Sequence, residues 1–546
     1  MFFTIYRYIF RDLLKSFFLA ALVLSVVLGL GVMLRPLRQF SVDPVQVPKL
    51  IMYTFPITLT MVIPIAALLS ATLNYGRLAH FNEINACRTS GIKLITLIYP
   101  AGAFAVLVGL TTLLMAFHVM PSFAKRFERA ITADAEAIIF RNIQKRGDLG
   151  DMFPDIRIYA DHALPEEHRL TGVALVQLNR RKIDWIMTAE QVVLDFKMDQ
   201  PQKQILMHLH GATVMVEDQT AVISQPQQFS IRAPSLWQDD IKFKKMAELR
   251  AIEKDMVQFG PIDKSLGEIQ HQYKWERLFE NCNQQARGPG NIIDLRAGGD
   301  RLRIIAQSCV LQIPSSRSDQ KDPDKNRTAL LTGVNQGPVE VIFPYGTNNL
   351  NQQRIYRAQK AWLSNNPLFG DSLPMLIMEQ VEWGGREQTS KHFLLSEEIA
   401  PVEFPLELED EARAITLKQV CAAETLTRLR SPSPYLGILH QDIIDDCAEL
   451  ATEIRVEKHS RLAFGVSCVV LVILGTVLGI VFRSGHLLTA FGVSFIPAAL
   501  CLITIFTGKH IAEKSATDIT GILFLWSGIG AVLLADIFIY KSLAKR

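Results

Sequence analysis

Four residues between positions 77 and 91 offer the sharpest chemistry in the chain: Arg77, Glu83, Arg88 and Gly91. A carboxylate such as Glu83 can form a charge-assisted hydrogen bond with an arginine of another subunit, strong enough to carry a rigid-body movement. Arg77 and Arg88 flank it with opposite charge. Gly91 accepts the left-handed backbone that closes a helix, a structural role. The plainer alternative for Glu83 is a solvated loop carboxylate. A second set is cationic: Arg35, Arg38 and Lys49. Guanidinium and ammonium groups hold phosphate, while long cations also snorkel at membrane interfaces with no ligand at all. His118 reads as a packed or interfacial histidine rather than a proton relay, and Asp536 as a partner for Lys541. The chain has no G-x-x-x-x-G-K-[ST], its nearest approach being Gly508-Lys509-His510, so it brings no phosphate loop of its own. It has no H-E-x-x-H, and its cysteines lack the C-x-x-C spacing of a zinc site. No catalytic residue, metal or cofactor is expected, and the chain does not read as an enzyme.

The elements that position these residues are apolar. The chain has 546 residues, 49% of them hydrophobic, and a formal net charge of +3, which argues for no particular charged partner. Six windows have the length and low charge of membrane spans: Ser16–Leu34, Leu50–Leu73, Leu94–Met120, Leu462–Phe482, Leu487–Thr507 and Ile519–Tyr540. Pro56 and Pro64 are tolerable kinks in a bundle. The first window lacks a small-residue cleavage site and reads as an anchor rather than a signal peptide. Orientation follows from Lys and Arg in the short loops. With the N-terminus inside, Arg7, Arg11, Lys15, Arg77, Arg88, Lys93, Arg483, Lys541, Lys545 and Arg546 are cytoplasmic. Arg35, Arg38, Lys49, Lys509 and Lys514 are then outside, a bias of ten to five. Both termini are expected in the cytoplasm and residues of about 121–461 outside. Residues 77–91 then form a short cytoplasmic helix between two spans, where a soluble motor can grip a transporter.

The outside segment reads as two modules. In 121–261, strand-like runs at 172–178, 191–196, 204–210, 212–216 and 221–224 predict an antiparallel sandwich or roll, followed by an amphipathic helical stretch from Asp240 to about Gln258. The region 262–435 opens with polar, Gly/Pro-rich sequence and holds a disordered loop at Pro314–Arg327. It then returns to strands at 339–343, 375–383 and 391–395, a second β-rich module or insertion. Ser431-Pro432-Ser433-Pro434 breaks the chain, and a helix from about Ile438 leads into the fourth span within 436–546. Cys87, Cys468 and Cys501 lie in or beside the membrane. Cys282, Cys309, Cys421 and Cys447 fall outside, where an oxidising compartment allows three pairings or leaves buried thiols.

Four places carry a resemblance to a known family. These are Tyr6–Lys15 before the first span; Ile63–Leu69 with Gly76-Arg77-Leu78, Asn82-Glu83 and Ser90-Gly91-Ile92; Glu457–Ala463 before the fourth span; and the order of three spans, an external β-domain and three spans. In these the chain resembles the LptF/LptG permeases of the lipopolysaccharide-export ABC transporter. The resemblance implies a membrane α-helical bundle of six transmembrane helices in 3+3 order, with a large external jellyroll-like β-domain inserted between helices 3 and 4. It implies a cytoplasmic ATPase subunit, a second permease subunit in a homo- or heterodimer, a periplasmic jellyroll bridge protein, and lipopolysaccharide or a related glycolipid as cargo. It also implies location in the bacterial inner membrane and a lateral gate between the first and fifth helices; no nucleic acid is implied. On this footing Glu83, Arg77, Arg88 and Gly91 (1–120 region) are the ATPase-coupling set, and Arg35, Arg38 and Lys49 the lipid-binding set. The external segment is longer than the family's usual one, which leaves 262–430 without an evident counterpart. The competing readings are a membrane-anchored periplasmic receptor or scaffold and a lipoprotein-releasing-type permease. The latter has four spans with its large domain after the first, which the span count opposes.

Overall fold

A segment in lipid must satisfy its own backbone, and the α-helix does so within one segment. The long uncharged runs are accordingly helical. The computed structural model describes residues 2–545 apart from 41–46, 134, 150–155, 180–181, 198–203, 217–218, 224–226, 233–239, 298, 313–326, 345–352, 366–373, 386–391, 400–401, 482–486 and 515–517. Six described helical segments are long and apolar enough to cross a bilayer: Thr4–Gly31, Leu50–His80, Leu94–Phe127, Pro434–Val481, Phe495–Ala512 and Ile519–Lys541. They lie in α1 (Phe2–Phe40), α2 (Val47–His80), α4 (Leu94–Leu114) with its continuation α5 (Met120–Ala133), α12 (Pro434–Val481), α13 (Leu487–Lys514) and α14 (Asp518–Lys545). A π-helical turn, Met115–Val119, joins α4 to α5 and holds His118. The seven-residue α3, Glu83–Thr89, follows α2. The chain divides into two compact units, Met1–Lys254 with Glu449–Arg546, and Asp255–Ala448.

In the first unit α2 and α12 are the inner helices. Of their most apolar windows 67% is buried, against 28% for α1, 33% for α13 and 28% for α14. Small residues let the inner helices approach. A Cβ on Gly475 would stand 2.9 Å from the Leu68 carbonyl oxygen, and one on Gly479 the same distance from that of Thr72. On α1, Phe18, Leu19, Val23, Val27 and Leu30 are exposed, apolar surface that water would penalise and lipid or a partner helix would cover.

The same unit holds a six-stranded antiparallel sheet: β1 (Ile156–Leu164), β2 (Arg169–Asn179), β3 (Lys182–Lys197), β4 (Gln204–Val216), β5 (Gln219–Ile223) and β6 (Gln227–Arg232). Helix α6 (Ala135–Arg146) covers one face, where Ile139, Phe140 and Ile143 bury with Ile158, Leu170, Leu194, Ile205 and Met207. The runs 204–210 and 212–216 are one strand, because Gly211 passes through φ 63° without ending the pairing with β3. Gly172 does the same at φ 61° in β2, and the carboxylates of Asp161 and Glu190 occupy the space that Cβ atoms would take at these two glycines. The antiparallel sheet agrees with expectation, while a jelly roll is not seen among the described strands. Each of β1 to β5 pairs with its sequence neighbour and β6 returns to β4, so the described strands form a meander with no Greek-key crossing.

The second unit pairs nine strands with one long helix. The strands are β7 (Ile292–Ala297), β8 (Asp300–Ile305), β9 (Ser308–Leu311), β10 (Ala329–Thr332), β11 (Val339–Pro344), β12 (Gln353–Asn365), β13 (Pro374–Gly385), β14 (His392–Ile399) and β15 (Val402–Glu403). Their order is β14-β13-β12-β11-β8-β7-β15, with β10 bridging β12 and β9. Where the sequence reads as a polar opening, Gly260–Ala286 is a 27-residue helix, α8 (α7, Met246–Lys254, precedes it). One face of α8, with Trp275, Phe279 and Cys282, packs on the sheet. The other, with Leu266, Ile269 and Tyr273, packs on Ala412, Ile415, Val420, Leu436 and Ile443. These come from α9 (Leu406–Arg413), α10 (Leu417–Cys421) with its approach, and the start of α12, while α11 (Glu424–Arg428) sits between. The expected disordered loop Pro314–Arg327 lies outside the described residues except for Arg327, which is buried and donates to Gln272 at 3.0 Å. Ser433 opens α12: its Oγ accepts from the Leu436 N–H at 3.1 Å, and Pro434 takes the first helical position, where its missing N–H costs nothing.

Candidate functional site

Helix α2 runs on past the apolar stretch to His80, so Arg77 belongs to it rather than to the short helix expected over 77–91. The break falls at Asn82, with φ 56°, and α3 begins at Glu83. Its end is a Schellman motif. Gly91 sits at φ 84° and donates its N–H to Arg88 O at 3.0 Å, while Ile92 donates to Cys87 O at 3.1 Å. The structural role read for Gly91 is thus visible in the backbone.

Arg77 has a partner inside the chain. Its Nη2 is 2.5 Å from Asp12 Oδ2 and 3.4 Å from the Tyr8 hydroxyl. The Ser70 hydroxyl donates to Leu13 O at 2.7 Å, and the Tyr75 hydroxyl to Leu97 O at 2.9 Å. These bonds fasten α1, α2 and α4 around the base of α3. Between them lies an apolar pocket of about 110 Å³, lined by Ile5, Tyr8, Ile9, Tyr75, Leu78, Glu83, Ile84, Cys87 and Leu97. Ile84 is buried, so one face of α3 is anchored. The side chains of Glu83 and Arg88 are exposed and make no hydrogen bond or ion pair among the described residues; the charge of Glu83 is felt at Arg77. Beside them Phe81 is 64% exposed. The site is a seated short helix that exposes a carboxylate and a guanidinium, with an exposed aromatic ring in the turn before it. Nothing in the sequence reading marked Phe81 or Asp12, although an aromatic at a helix break and an acid in the first amphipathic segment were both in view.

The three cations of the second set are not brought together by anything described. Arg35 and Arg38 lie on α1 and Lys49 in the first turn of α2, and their side chains are outside those the structure describes. Asp536 is a correction. It is 3% exposed, neither of its oxygens has a hydrogen-bond partner among the described residues, and Lys541 is exposed elsewhere. Five positions along a helix turn about 140° from one another, which separates the two side chains.

A buried ionic node was not foreseen. Arg461 and Glu457, both almost fully buried, pair at 2.8 Å across one turn of α12, and Glu457 takes Lys509 of α13 at 2.8 Å through its other oxygen. Arg461 Nη2 also donates to the carbonyls of Lys242 and Lys244 at 2.9 and 3.0 Å. Lys458 pairs with Glu253 at 2.6 Å, and Lys125 of α5 with Glu248. Burial would raise the Glu248 carboxyl, but the bonds from Lys125 and from the Lys245 N–H, together with the charges of Lys125 and Lys244, hold it below the usual range. The chain leaving the β1–β6 sheet is thereby tied to α5, α12 and α13. The Glu457/Arg461 spacing was a readable signal, whereas the two carbonyls and Lys509 are distant in sequence.

Residues 7–275 and 332–542 match the sequence model of the lipopolysaccharide export system permease LptF/LptG. This chain belongs to the LptF/LptG family. No curated protein matches it. The match extends through most of the region expected to lack a counterpart; only 276–331 stands inside the chain without one, the end of α8, strands β7 to β9 and all but the last residue of β10. Family membership and six apolar helices make the chain a multi-pass membrane permease of lipopolysaccharide export.

Proposed function

We propose that this permease extracts lipopolysaccharide or a related glycolipid from the inner membrane and passes it to a periplasmic bridge protein, driven by a separate cytoplasmic ATPase that grips α3. The observation that carries the reading is the seat of α3: Ile84 packed into the bundle beside Asp12–Arg77, the side chains of Glu83 and Arg88 exposed with no hydrogen bond or ion pair among the described residues, and Phe81 exposed in the turn before them, its ring edge-on to His80. A rigid seat turns a push from a motor into movement of α1, α2 and α4 together. The chain performs no chemistry itself. Both termini are cytoplasmic, and residues of about 121–461, between the first three spans and the last three, are periplasmic. A second permease subunit covers the exposed apolar faces of α1 and α13, the first and fifth spans, both of which contact α2 and between which lipid enters. Arg35, Arg38 and Lys49 meet the lipid phosphates at the outer end of that gate. The β1–β6 sheet, tied to α12 and α13 through the ionic node, receives the lipid and docks the bridge.

The test is co-purification of the ATPase. Glu83→Arg should weaken its retention by roughly ten- to a hundredfold, the factor of one lost charge-assisted bond of about 1.5–3 kcal/mol, and lower lipid transport with it. Unchanged retention and transport would leave Glu83 a solvated carboxylate.

A further inference from the structure

The sheet of the second unit carries a groove of about 610 Å³, a size suited to a small ligand. Its floor is Arg357 and Gln359 of β12 with Gln380 and Glu382 of β13. Phe393 and Leu395 of β14 form one wall, and the turn at Gln336 the other. Two strands are built irregularly here. β12 buries Tyr356 and Ala358, then Ala361 and Leu363; β13 buries Leu376 and Met378, then Val381. The inward phase thus slips by one residue on both strands, between the pairs Ala358–Val381 and Lys360–Glu379. The residues left over are Gln359 and Gln380, and such a bulge re-aims a side chain. Gln380 stands at φ 51° and Gln336 at φ 61°, in the left-handed region that favours glycine. The β1–β6 sheet has Gly172 and Gly211 at its own left-handed positions. In the groove two side chains are kept despite the backbone cost, which marks a functional constraint. The side chains of Gln336, Gln359 and Gln380 make no hydrogen bond among the described residues. Arg357 pairs with Glu340 at 2.8 Å, and its strand neighbour on the other side is Glu382. One guanidinium between two carboxylates leaves no surplus positive charge for a phosphate.

We infer that this groove binds a glycan, a short run of uncharged sugar rings. Every sugar hydroxyl both donates and accepts. An amide does the same, a carboxylate accepts and a guanidinium donates, so the floor matches a polyhydroxylated ligand group by group. The C–H face of a sugar ring needs a flat apolar partner, and the negative face of an aromatic ring attracts it. Phe393 is 72% exposed and Leu395 90%, apolar surface at the rim that such a ring would cover. An extended peptide added to β14, which ends the strand order, would bond through backbone groups at the edge and leave the amides of the floor unused. The groove lies wholly within the Asp255–Ala448 unit, so the inference is independent of the coupling at α3. The sugars of lipopolysaccharide and those of a cell-wall glycan share this chemistry.

The experiment is calorimetric titration of the full-length permease, held in a detergent without a sugar headgroup. Two probes separate the sources: dephosphorylated core oligosaccharide of lipopolysaccharide, and chitohexaose, whose repeating hexosamine stands for the cell-wall strand. Binding of at least one is expected, and the one that binds names the source. Phe393→Ala and Gln380→Gly should each weaken it about tenfold, the factor of one lost contact. Gln380→Gly should not lower the melting temperature, because glycine suits the left-handed backbone; loss of binding is then separated from loss of fold. Both variants should retain the ATPase as wild type does, so failure here leaves the reading of α3 standing. No heat from either probe at millimolar concentration, or binding unchanged in both variants, would overturn the inference. Silence toward both sugars, with peptides from a displayed library bound by wild type and lost in Leu394→Pro, would overturn it in favour of a strand added at the β14 edge.

Discussion

Two glutamates show how the same side chain serves opposite ends. Glu83 is exposed and has no ion pair among the described residues; Glu457 is buried and holds Arg461 and Lys509 at once. Removing one member of a buried ion pair strands the other, at a cost of about 3–5 kcal/mol. Glu457→Ala should therefore destabilise the membrane unit by that order, read as a lower denaturation midpoint in detergent, while Glu83→Ala should leave the midpoint unchanged. Equal midpoints for wild type and Glu457→Ala would remove the node from the account. The exposure of Glu83 was legible because a short polar run between two spans leaves few places for a carboxylate to go. The partner of Arg77 inside the chain was not legible: Asp12 is 65 positions away, and nothing local announces the pair. Asp536 failed for the converse reason, since a nearby lysine in sequence stood on another side of the helix.

At the scale of elements, the spans were readable because lipid demands long uncharged runs, and the sheet because its strands alternate. Helix α8 was missed. It is buried on two faces, so its apolar residues do not make the single stripe that periodicity detects, and polar residues such as Gln272 and Glu276 are buried within it. Glu276 accepts from Ser433 N at 3.0 Å, from Gln272 Nε2 at 3.0 Å and from the Ser433 hydroxyl, and so fastens the start of α12 to α8. Burial raises its carboxyl above the ordinary range despite these bonds. A carboxyl raised in the folded state binds more protons folded than unfolded. Its contribution to stability is therefore present below the unfolded value, about 4.3, and is lost as pH rises through the folded one. Glu276→Gln should accordingly gain in melting temperature relative to wild type as pH rises from 4 toward 8; a difference that stays constant with pH would contradict this. The contact of α2 with α12 gives a second expectation. Gly479→Val should destabilise the bundle by about 1–3 kcal/mol through overpacking against Thr72 and Tyr75, measured as earlier loss of helicity on heating. An unchanged transition would mean that the two helices do not meet there.

For the whole molecule, the class was legible and the external architecture only in part. The run of spans and the segment around Glu83 point to the family that the sequence model matches, whereas strand connectivity depends on pairings that alternation alone does not order. The cationic rim belongs to this scale, because it acts only in an assembled gate. Replacing Arg35, Arg38 and Lys49 together by Gln should reduce photo-crosslinking of lipopolysaccharide from position 38 while leaving ATPase retention intact; full capture by the triple variant would assign these cations to snorkelling. The central claim is that work done by an ATPase at α3 moves lipid on the other side of the membrane. Its most direct measurement is ATP-dependent transfer of lipopolysaccharide from proteoliposomes holding the complete complex to the bridge protein, with wild type and Glu83→Arg compared at equal permease content. The account predicts transfer that requires ATP and is largely lost in the variant. Transfer that is independent of ATP, or is undiminished by Glu83→Arg, would contradict it.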